Sequence, residues 1–266
     1  MNRRITFAVL AALALAACSQ EQRITGPVAL SDNGHKFSCP SDGTPPRGSQ
    51  VQGGIEVNGP CILDGVTVNG GITVDAGGQL QLQSSAVDGG ISVLRCGELD
   101  VNFPAQAAIP PGTTSTINGD IVIDASAVCT SPASSDADIW TAQIKGSISV
   151  TGSYDGNRPT ICGNTIRGDL ILDHITSDRR FWVGDPDGFG GCPGNTIGGA
   201  LSVSNSTASF EVEANKVGGS VLLSGSALEL NENTIGGSLR CSNGAVILPG
   251  EAPDASGNTI RGSNNC

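Results

Sequence analysis

A seven-residue pattern, apolar–x–Gly–x–apolar–x–apolar, occurs ten times in this chain and constrains its fold more than any other feature. The first copies read VQGGIEV, VNGGITV and VDGGISV, and the last, IRGSNNC, has Asn264 in place of the apolar residue at position five. The copies begin at Val51, Val68, Val87, Ile117, Ile144, Ile166, Ile197, Val217, Ile235 and Ile260, at intervals of 17 to 31 residues. A fixed motif with spacers of varying length is typical of a solenoid whose coils carry loops of different size.

The spacing of apolar residues within the pattern favours β-strands. Positions one, five and seven share one face of a strand, because side chains alternate between the two faces with a period of two. We expect that face to be the interior, with the glycine at position three also pointing inward at a crowded corner. A second apolar stretch follows in many repeats, as in QLQLQ from Gln79 and FEVEAN from Phe210. The sequence therefore predicts an all-β, single-domain parallel β-helix of about ten coils over residues 46–266.

Asparagine recurs at one place in the second half of the chain. It stands two residues before the pattern at Asn164, Asn195, Asn215, Asn233 and Asn258. Stacked asparagines at one corner can hydrogen-bond to each other along the solenoid. This resembles the asparagine ladder of right-handed parallel β-helix proteins such as pectate lyases, and the resemblance implies a right-handed coil. The hydrolases of that architecture carry Asn-Thr-Asp, Asp-Asp, His-Gly and Arg-x-Lys motifs, and none occurs in this sequence. We therefore expect no catalytic residues and no enzymatic activity.

The N-terminal residues have the composition of an export signal. Arg3 and Arg4 precede an apolar run, Ile5 to Ala17, that is short for a membrane span. The sequence Leu-Ala-Ala-Cys ending at Cys18 resembles the lipobox of bacterial lipoproteins, in which cleavage precedes a cysteine that becomes acylated. The resemblance implies a signal peptide over residues 1–17, a lipidated Cys18 and a polar tether over residues 18–45. It implies a bacterial cell envelope, the outer membrane if the cell is Gram-negative, with the membrane as a partner through the lipid.

Charge and residue spacing narrow the possible ligands. The chain has 14 Lys and Arg against 25 Asp and Glu, a net charge of −11. Removal of residues 1–17 takes away two arginines and leaves a net charge of −13 (12 − 25). Such an acidic chain is unsuited to binding nucleic acid through bulk charge. No C-x-x-C pair occurs, and His35 and His174 are far apart, so we expect no metal site and no cofactor.

The cysteines predict four disulfide bonds. Apart from Cys18 there are eight, an even number typical of exported proteins. Two of them lie six residues after the start of a repeat, and two others lie four and five residues before one. Strands of adjacent coils lie about 4.8 Å apart, so equivalent positions are close enough to bond. These positions predict Cys241–Cys266 and Cys162–Cys192, and order along the chain then predicts Cys96–Cys129 and Cys39–Cys61.

The longest insertion between repeats, residues 173–192, is the best candidate for a ligand-binding site. Long loops on a rigid scaffold often carry binding residues. Trp182 has the flat face that stacks on a sugar ring, and arginine binds carboxylates or phosphates. The alternative is a plain surface loop whose aromatic residues pack over the coil. The candidate ligand-binding residues are His174, Arg179, Arg180, Trp182, Asp185 and Asp187.

The two ends of the solenoid decide whether copies can assemble. Residues 34–40 and the polar residues 263–265 are candidate caps for exposed strand edges, which predicts a monomer. The C-terminal coil, from Cys241 onward, is similar to the C-termini of exported bacterial proteins with no established activity. The repeat loosely resembles that of the bactofilins, which polymerise through their coils. Bactofilins, however, are cysteine-poor, have nearly loopless coils and lie on the cytoplasmic side.

The sequence favours one function and leaves two others open. It predicts a non-enzymatic cell-envelope lipoprotein, a rigid scaffold that contacts a surface glycan or another envelope protein. One alternative is a carbohydrate-binding or polysaccharide-active β-helix protein that uses the 173–192 loop. The other is a self-assembling structural protein of the bactofilin kind.

Overall fold

The computed structural model describes residues 29–31, 36–102, 114–125, 129, 136–154, 158–186, 191–249 and 257–266. These residues form thirty β-strands in three parallel sheets, with no helix among them. None of the described residues therefore forms a helix long and apolar enough to cross a membrane. The chain passes through sheets A, B and C in turn before it begins the next coil. This is a parallel β-helix, and the predicted fold class is confirmed.

The strands of each sheet are stacked in chain order. Sheet A consists of β1 (Ala29–Ser31), β3 (Gln50–Gln52), β6 (Thr67–Asn69), β9 (Ala86–Val87), β12 (Thr116–Ile117), β15 (Gln143–Ile144), β18 (Thr165–Ile166), β21 (Thr196–Ile197), β24 (Lys216–Val217), β27 (Thr234–Ile235) and β30 (Thr259–Ile260). Sheet B consists of β2 (Phe37–Cys39), β4 (Ile55–Val57), β7 (Ile72–Val74), β10 (Ile91–Val93), β13 (Ile121–Ala125), β16 (Ile148–Ser153), β19 (Leu170–Thr176), β22 (Leu201–Ser204), β25 (Val221–Ser224) and β28 (Leu239–Ser242). Sheet C consists of β5 (Pro60–Asp64), β8 (Gln79–Gln83), β11 (Glu98–Val101), β14 (Asp136–Trp140), β17 (Thr160–Cys162), β20 (Phe181–Val183), β23 (Phe210–Glu213), β26 (Ala227–Asn231) and β29 (Val246–Leu248).

The repeat pattern sets the register of sheets A and B. Position one lies in sheet A, where Val51 pairs with Val68 of the next coil. Positions five and seven lie in sheet B, where Ile55 pairs with Ile72. These positions are buried in the first eight copies of the pattern, so their side chains form aliphatic columns along the interior. The second apolar stretch supplies sheet C, and each complete coil therefore has three strands.

The stack of coils begins earlier than residue 46. Strands β1 and β2 pair in parallel with β3 and β4, and Cys39 is buried in the core. The prediction of a polar tether up to residue 45 is therefore wrong for these two strands. Their short apolar segments are too brief to stand out in the sequence, and pairing with the next coil stabilises them. The predicted signal peptide and Cys18 lie outside the described residues.

The glycine at position three does not point into the core. Gly146 is half-buried at the corner between sheets A and B. A Cβ atom on it would lie 2.7 Å from the carbonyl carbon and oxygen of Gly119 in the preceding coil. Gly119 stands in the same relation to Gly89 one coil earlier. The predicted inward orientation is wrong: glycine is needed there because the corners of adjacent coils stack too closely for any side chain.

The five asparagines form the predicted ladder at the corner between sheets C and A. Oδ1 of Asn195 accepts hydrogen bonds from the backbone N–H and the side-chain amide of Asn164, at 2.9 and 3.0 Å. The Asn195 amide in turn donates to Oδ1 of Asn215 at 2.9 Å and to the carbonyl of Ile161 at 2.7 Å. The pattern continues through Asn233 to Asn258. The ladder thereby satisfies buried polar groups at every step.

Serines occupy the same corner in earlier coils. The hydroxyl of Ser85 accepts a hydrogen bond from the N–H of Val66 at 3.0 Å, and the hydroxyl of Ser115 accepts one from the N–H of Ser85 at 3.3 Å. This is the backbone contact that asparagine makes in later coils. A sequence signal was present, because each serine also stands two residues before the pattern.

All four predicted disulfides are present. They join Cys39 to Cys61, Cys96 to Cys129, Cys162 to Cys192 and Cys241 to Cys266. Their Cα–Cα distances run from 4.9 to 5.7 Å, which is the spacing of neighbouring coils. Each bond therefore ties one coil to the next.

Candidate functional site

Three aspartates meet on the outer face of sheet C. Strands β11 and β14 are neighbours there, with Asp100 directly opposite Asp138 and Glu98 opposite Asp136. Oxygen atoms of Asp100, Asp136 and Asp138, one from each, all lie within 4.8 Å of one another. Like charges placed opposite each other destabilise a sheet, so the fold holds these groups against their electrostatic preference. Asp100, Asp136 and Asp138 are the aspartate cluster.

Burial raises the pKa of every member of the aspartate cluster. Loss of hydration, helped by the charge of Glu98, raises the pKa of Asp100 to about 6. Burial also raises the pKa of Asp136 to about 7, and burial together with the charge of Asp136 raises that of Asp138 to about 8. Near neutral pH the cluster is therefore partly protonated and does not carry three full negative charges. Such carboxyls can act as general acids, and their oxygens are of the type that hard cations such as Ca²⁺ prefer.

A hydrogen-bond chain links the cluster to a tryptophan. The indole N–H of Trp140 donates to Oγ1 of Thr160 at 2.8 Å, and the Thr160 hydroxyl donates to the carboxylate of Asp138. Trp140 also packs with Trp182 and the Cys162–Cys192 disulfide in a small apolar group outside the main core. The two tryptophans are only 6% and 7% exposed. Their rings are therefore engaged in packing and are not free to stack on a ligand.

The 173–192 stretch is not one long loop. Strand β19 continues to Thr176, and residues 181–183 form β20 in sheet C. Phe181 points into the core, where its ring centroid lies 6.1 Å from that of Tyr154 and 5.4 Å from that of Phe210. Trp182 then faces outward by strand alternation. The interpretation as a surface insertion is wrong for these residues, because the spacer contains this coil's own sheet C strand.

Charged residues pack around the outer side of β20. The guanidinium carbon of Arg158 lies 5.6 Å from the centroid of the Trp182 ring, a cation–π distance. Arg180 forms an ion pair with Glu211, which lies opposite Trp182 on β23. Arg180 thus has a partner in its own protein.

The remaining candidates from this stretch are dispersed. Arg179 is exposed, whereas Asp185 is buried and its backbone N–H donates to the carbonyl of Cys192 at 2.7 Å. Asp187 lies outside the described residues. The structure therefore does not bring the predicted ligand-binding residues together into one described surface.

His174 lies apart from them, at the corner between sheets B and C. Its Nδ1 lies 2.7 Å from the carboxylate of Asp173, which also accepts hydrogen bonds from Ser204 and Asn205. Burial acts to raise the pKa of Asp173, but the hydrogen bonds from Ser204, His174 and Asn205 outweigh it and lower the pKa. The backbone of His174 has a φ of 53°, and Asn205 at the equivalent corner has a φ of 51°. This conformation is therefore a requirement of the corner.

The aspartate cluster was not found from the sequence. Its signal is Glu-x-Asp at residues 98–100 and Asp-x-Asp at residues 136–138, each in an alternating strand. The expectation that no metal site exists rests on cysteine and histidine spacing, which is blind to carboxylates that face each other across strands. Only the register between β11 and β14 brings the two segments together.

Comparison with known proteins gives this chain no family. No protein-family model and no curated protein matches it, and neither does any solved structure. Its function must therefore be argued from its own residues.

Proposed function

We propose that this protein is a non-enzymatic lipoprotein of a bacterial cell envelope that serves as a rigid scaffold. The observation that carries the proposal is the set of four disulfides, each tying neighbouring coils. Disulfides form and persist in oxidising compartments, so they support an exported location. The export-like N-terminal sequence and the lipobox-like segment before Cys18 supply the route and the anchor.

The interior supports a stiff scaffold. Successive complete coils pair with each other through three parallel strands, and buried side-chain ladders add hydrogen bonds at the corners. Because such backbone and side-chain contacts repeat along the whole stack, bending it would break several at once. A rod of this kind suits a role in holding a surface at a fixed distance from a membrane.

The condition of the candidate site residues supports a role without catalysis. Trp182 and Asp185 are buried, and Arg180 is paired with Glu211. In the aspartate cluster Asp138 is only 6% exposed and accepts a hydrogen bond from Thr160. These side chains are buried or paired with other residues of the protein, so they are poorly accessible to a substrate.

Lipidation tests the anchor directly. The full chain and its Cys18→Ala variant would be produced in a bacterial host supplied with radioactive palmitate. We expect the natural chain to carry label, to sediment with membranes and to have a mature N-terminus at Cys18, and we expect the variant to be unlabelled and soluble. An unlabelled, soluble natural chain would contradict the anchored location.

An activity assay tests the absence of catalysis. We expect no release of reducing ends or unsaturated products from neutral or acidic polysaccharides across the neutral pH range. Turnover that disappears in an Asp138→Asn variant would overturn the non-enzymatic assignment, because a carboxyl with a raised pKa is the expected general acid in such chemistry.

A further inference from the structure

The outer face of sheet A differs in charge from the rest of the chain. In each coil the residues on either side of the buried position-one residue lie on this face, as Gln143 and Lys145 do around Ile144. From β15 to β30 these outward positions, all of them described, include four cations and no acidic residue. The whole chain has a net charge of −11, so this face is a local excess of positive charge. We call these four residues the basic strip: Lys145, Arg167, Lys216 and Arg261.

The side chains of the basic strip are accessible to a ligand. All four are exposed, and none of them takes part in an ion pair between described residues. Arg180 differs in this respect, because Glu211 on the neighbouring strand already pairs with it. The basic strip therefore carries positive charge that direct contacts within the described part of the fold do not neutralise.

The nearest acidic residues lie at the corners that border the basic strip. Asp120 and Asp169 stand at the corner between sheets A and B, where each carboxylate accepts a hydrogen bond at 2.7 Å from a backbone N–H of the next coil. Glu232 is exposed at the corner between sheets C and A. Three more acids belong to connections from sheet C to sheet A and lie outside the described residues: Asp187, Glu251 and Asp254. Asp120 and Asp169 thus contact backbone amides at the corner and lie beside the row of cations.

The basic strip is a sparse row of charges along the rod. Lys145 and Arg167 lie on neighbouring coils, and Lys216 and Arg261 follow at intervals of two coils. Since neighbouring coils are about 4.8 Å apart, the four cations are spread over about 24 Å. Double-stranded DNA carries one negative charge per about 1.7 Å, which is far denser than this row. The spacing therefore suits a linear polymer whose anionic groups are separated by one or two sugar-sized units.

Hydroxyl groups lie beside the cations on the same face. Thr165, Thr196, Thr234 and Thr259 stack in register, and Lys216 takes the equivalent place in the coil between Thr196 and Thr234. Three of these threonines are exposed, and within the described part of the chain none of the four hydroxyls has a hydrogen-bond partner. A hydroxyl both donates and accepts, which suits the hydroxyls of a sugar. The described outward positions here carry no aromatic or large aliphatic side chain, so this face lacks the groups that enter a lipid bilayer.

We propose that the basic strip binds an anionic linear polysaccharide that lies along the rod. The cations pair with anionic groups of the polymer, and the threonine hydroxyls bond to its sugar hydroxyls. The acids of sheet C, among them Asp100 and Asp138, lie on another face of the coil, and physiological salt screens exposed charges beyond about 8 Å. The inference rests on the proposed function, since it names what the envelope scaffold contacts. It places that contact on sheet A and not on the 173–192 stretch.

Affinity electrophoresis tests the proposal. The exported chain would carry Cys18→Ala, so that binding is measured without lipid or membrane. Carboxymethyl cellulose, cast into a native gel, supplies an extended sugar chain with spaced carboxylates, and hydroxyethyl cellulose is its uncharged counterpart. Relative to a gel without polymer, we expect carboxymethyl cellulose alone to retard the protein. We expect the retardation to weaken as salt is added, because the contacts are ion pairs at an exposed face.

Variants that remove charge locate the contact. We expect Lys145→Gln/Arg167→Gln to weaken the affinity about tenfold, and Lys216→Gln to weaken it by a smaller factor. The matched control is Arg95→Gln/Arg240→Gln, which also removes two exposed positive charges but lies outside sheet A. We expect this control to be retarded like the natural chain, and the circular dichroism of every variant to be unchanged.

Three results would overturn the proposal. The first is the absence of retardation at low salt. The second is an equal loss of affinity in the control variant, which would show that net charge alone governs binding. The third is tighter binding to vesicles that contain anionic phospholipid than to carboxymethyl cellulose, which would assign the basic strip to a membrane. The palmitate experiment fails independently of these, since a chain without lipid that still binds the polymer contradicts only the anchored location.

Discussion

At the scale of single residues, Asp138 has the most unusual environment in the aspartate cluster. It is buried beside Asp136, directly opposite Asp100, and burial raises its pKa to about 8. Thr160 donates to it, and this contact is suited to the ionised form as well as the neutral one. The folded state is therefore most stable while the cluster is protonated, and each proton lost at higher pH lowers the free energy of unfolding.

The pH dependence of unfolding follows from these shifts. An aspartate in the unfolded chain titrates near 3.8, whereas those of the cluster titrate at about 6 to 8 in the fold. The folded state binds more protons between these limits, so the free energy of unfolding falls as pH rises from about 4 to about 8. We expect Asp138→Asn to flatten this fall and to stabilise the protein at about pH 8, by on the order of a few kcal/mol. Asparagine keeps an acceptor for Thr160. Urea unfolding at several pH values measures the effect.

The control for this measurement is Asp75→Asn. Asp75 lies on the turn between β7 and β8, is half-buried and is outside the cluster. We expect it to leave the pH slope as it is in the natural chain. Equal slopes in the natural chain and in Asp138→Asn would show that the cluster does not govern the pH dependence.

At the scale of elements, the corners between sheets hold the coils in register. Strands of sheet A are as short as two residues, so they contribute few backbone hydrogen bonds of their own. From β18 to β30 the asparagine ladder adds bonds just before each strand of sheet A, and four of its five side chains are almost fully buried. A buried amide left without a partner costs more than the bond itself contributes.

Removal of a middle rung should therefore be costly. We expect Asn195→Ala to lower the free energy of unfolding by about 2–4 kcal/mol, since it leaves the buried N–H of Asn164 without its acceptor and removes the amide's bonds to Asn215 and to the carbonyl of Ile161. Chemical denaturation measures the loss. Asn258→Ala is the matched control, because Asn258 is the last rung and only half-buried, so the loss should be smaller. Equal losses at both positions would argue against cooperation along the ladder.

At the scale of the whole molecule, the solenoid is a stack in which each coil contacts mainly its neighbours. Stability is then close to a sum over coils and interfaces, and the end coils are the first to open. The disulfides are spread along the stack, with one at each end, Cys39–Cys61 and Cys241–Cys266. The terminal bonds therefore act where fraying would begin.

Loss of the last disulfide should have a local effect. In a Cys241→Ser/Cys266→Ser variant we expect faster hydrogen exchange in β28 and β30, because the disulfide no longer holds residues 263–265, which hydrogen-bond to Leu239 along the edge of sheet B. Exchange in β7 and β10, several coils away, should be unchanged. A uniform increase along the whole chain would contradict the nearest-neighbour description and would indicate a single cooperative unit.

The sequence by itself determined the repeat, the stacking of parallel β coils and the cysteine pairing. These follow from local periodicity: strand alternation decides which side chains face inward, and a motif that recurs in every coil must stack in register. Val51, Val68 and Val87 align for this reason, and so do Cys241 and Cys266. No long-range information is needed, because the pattern that places the strands is present in the sequence of each coil.

Only the tertiary structure decided what stands on the outer face. Asp100 and Asp138 meet because β11 and β14 are adjacent, although a long spacer separates them in the chain. Gly146 needs to be glycine because of the backbone of the preceding coil, and Trp182 is packed against the Cys162–Cys192 disulfide and against Trp140 from an earlier coil. The outward-facing residues do not follow a repeating pattern, since spacer lengths vary and any residue type can face outward. The sequence therefore does not predict which of them are in contact. Their neighbours are set by the stacking of coils.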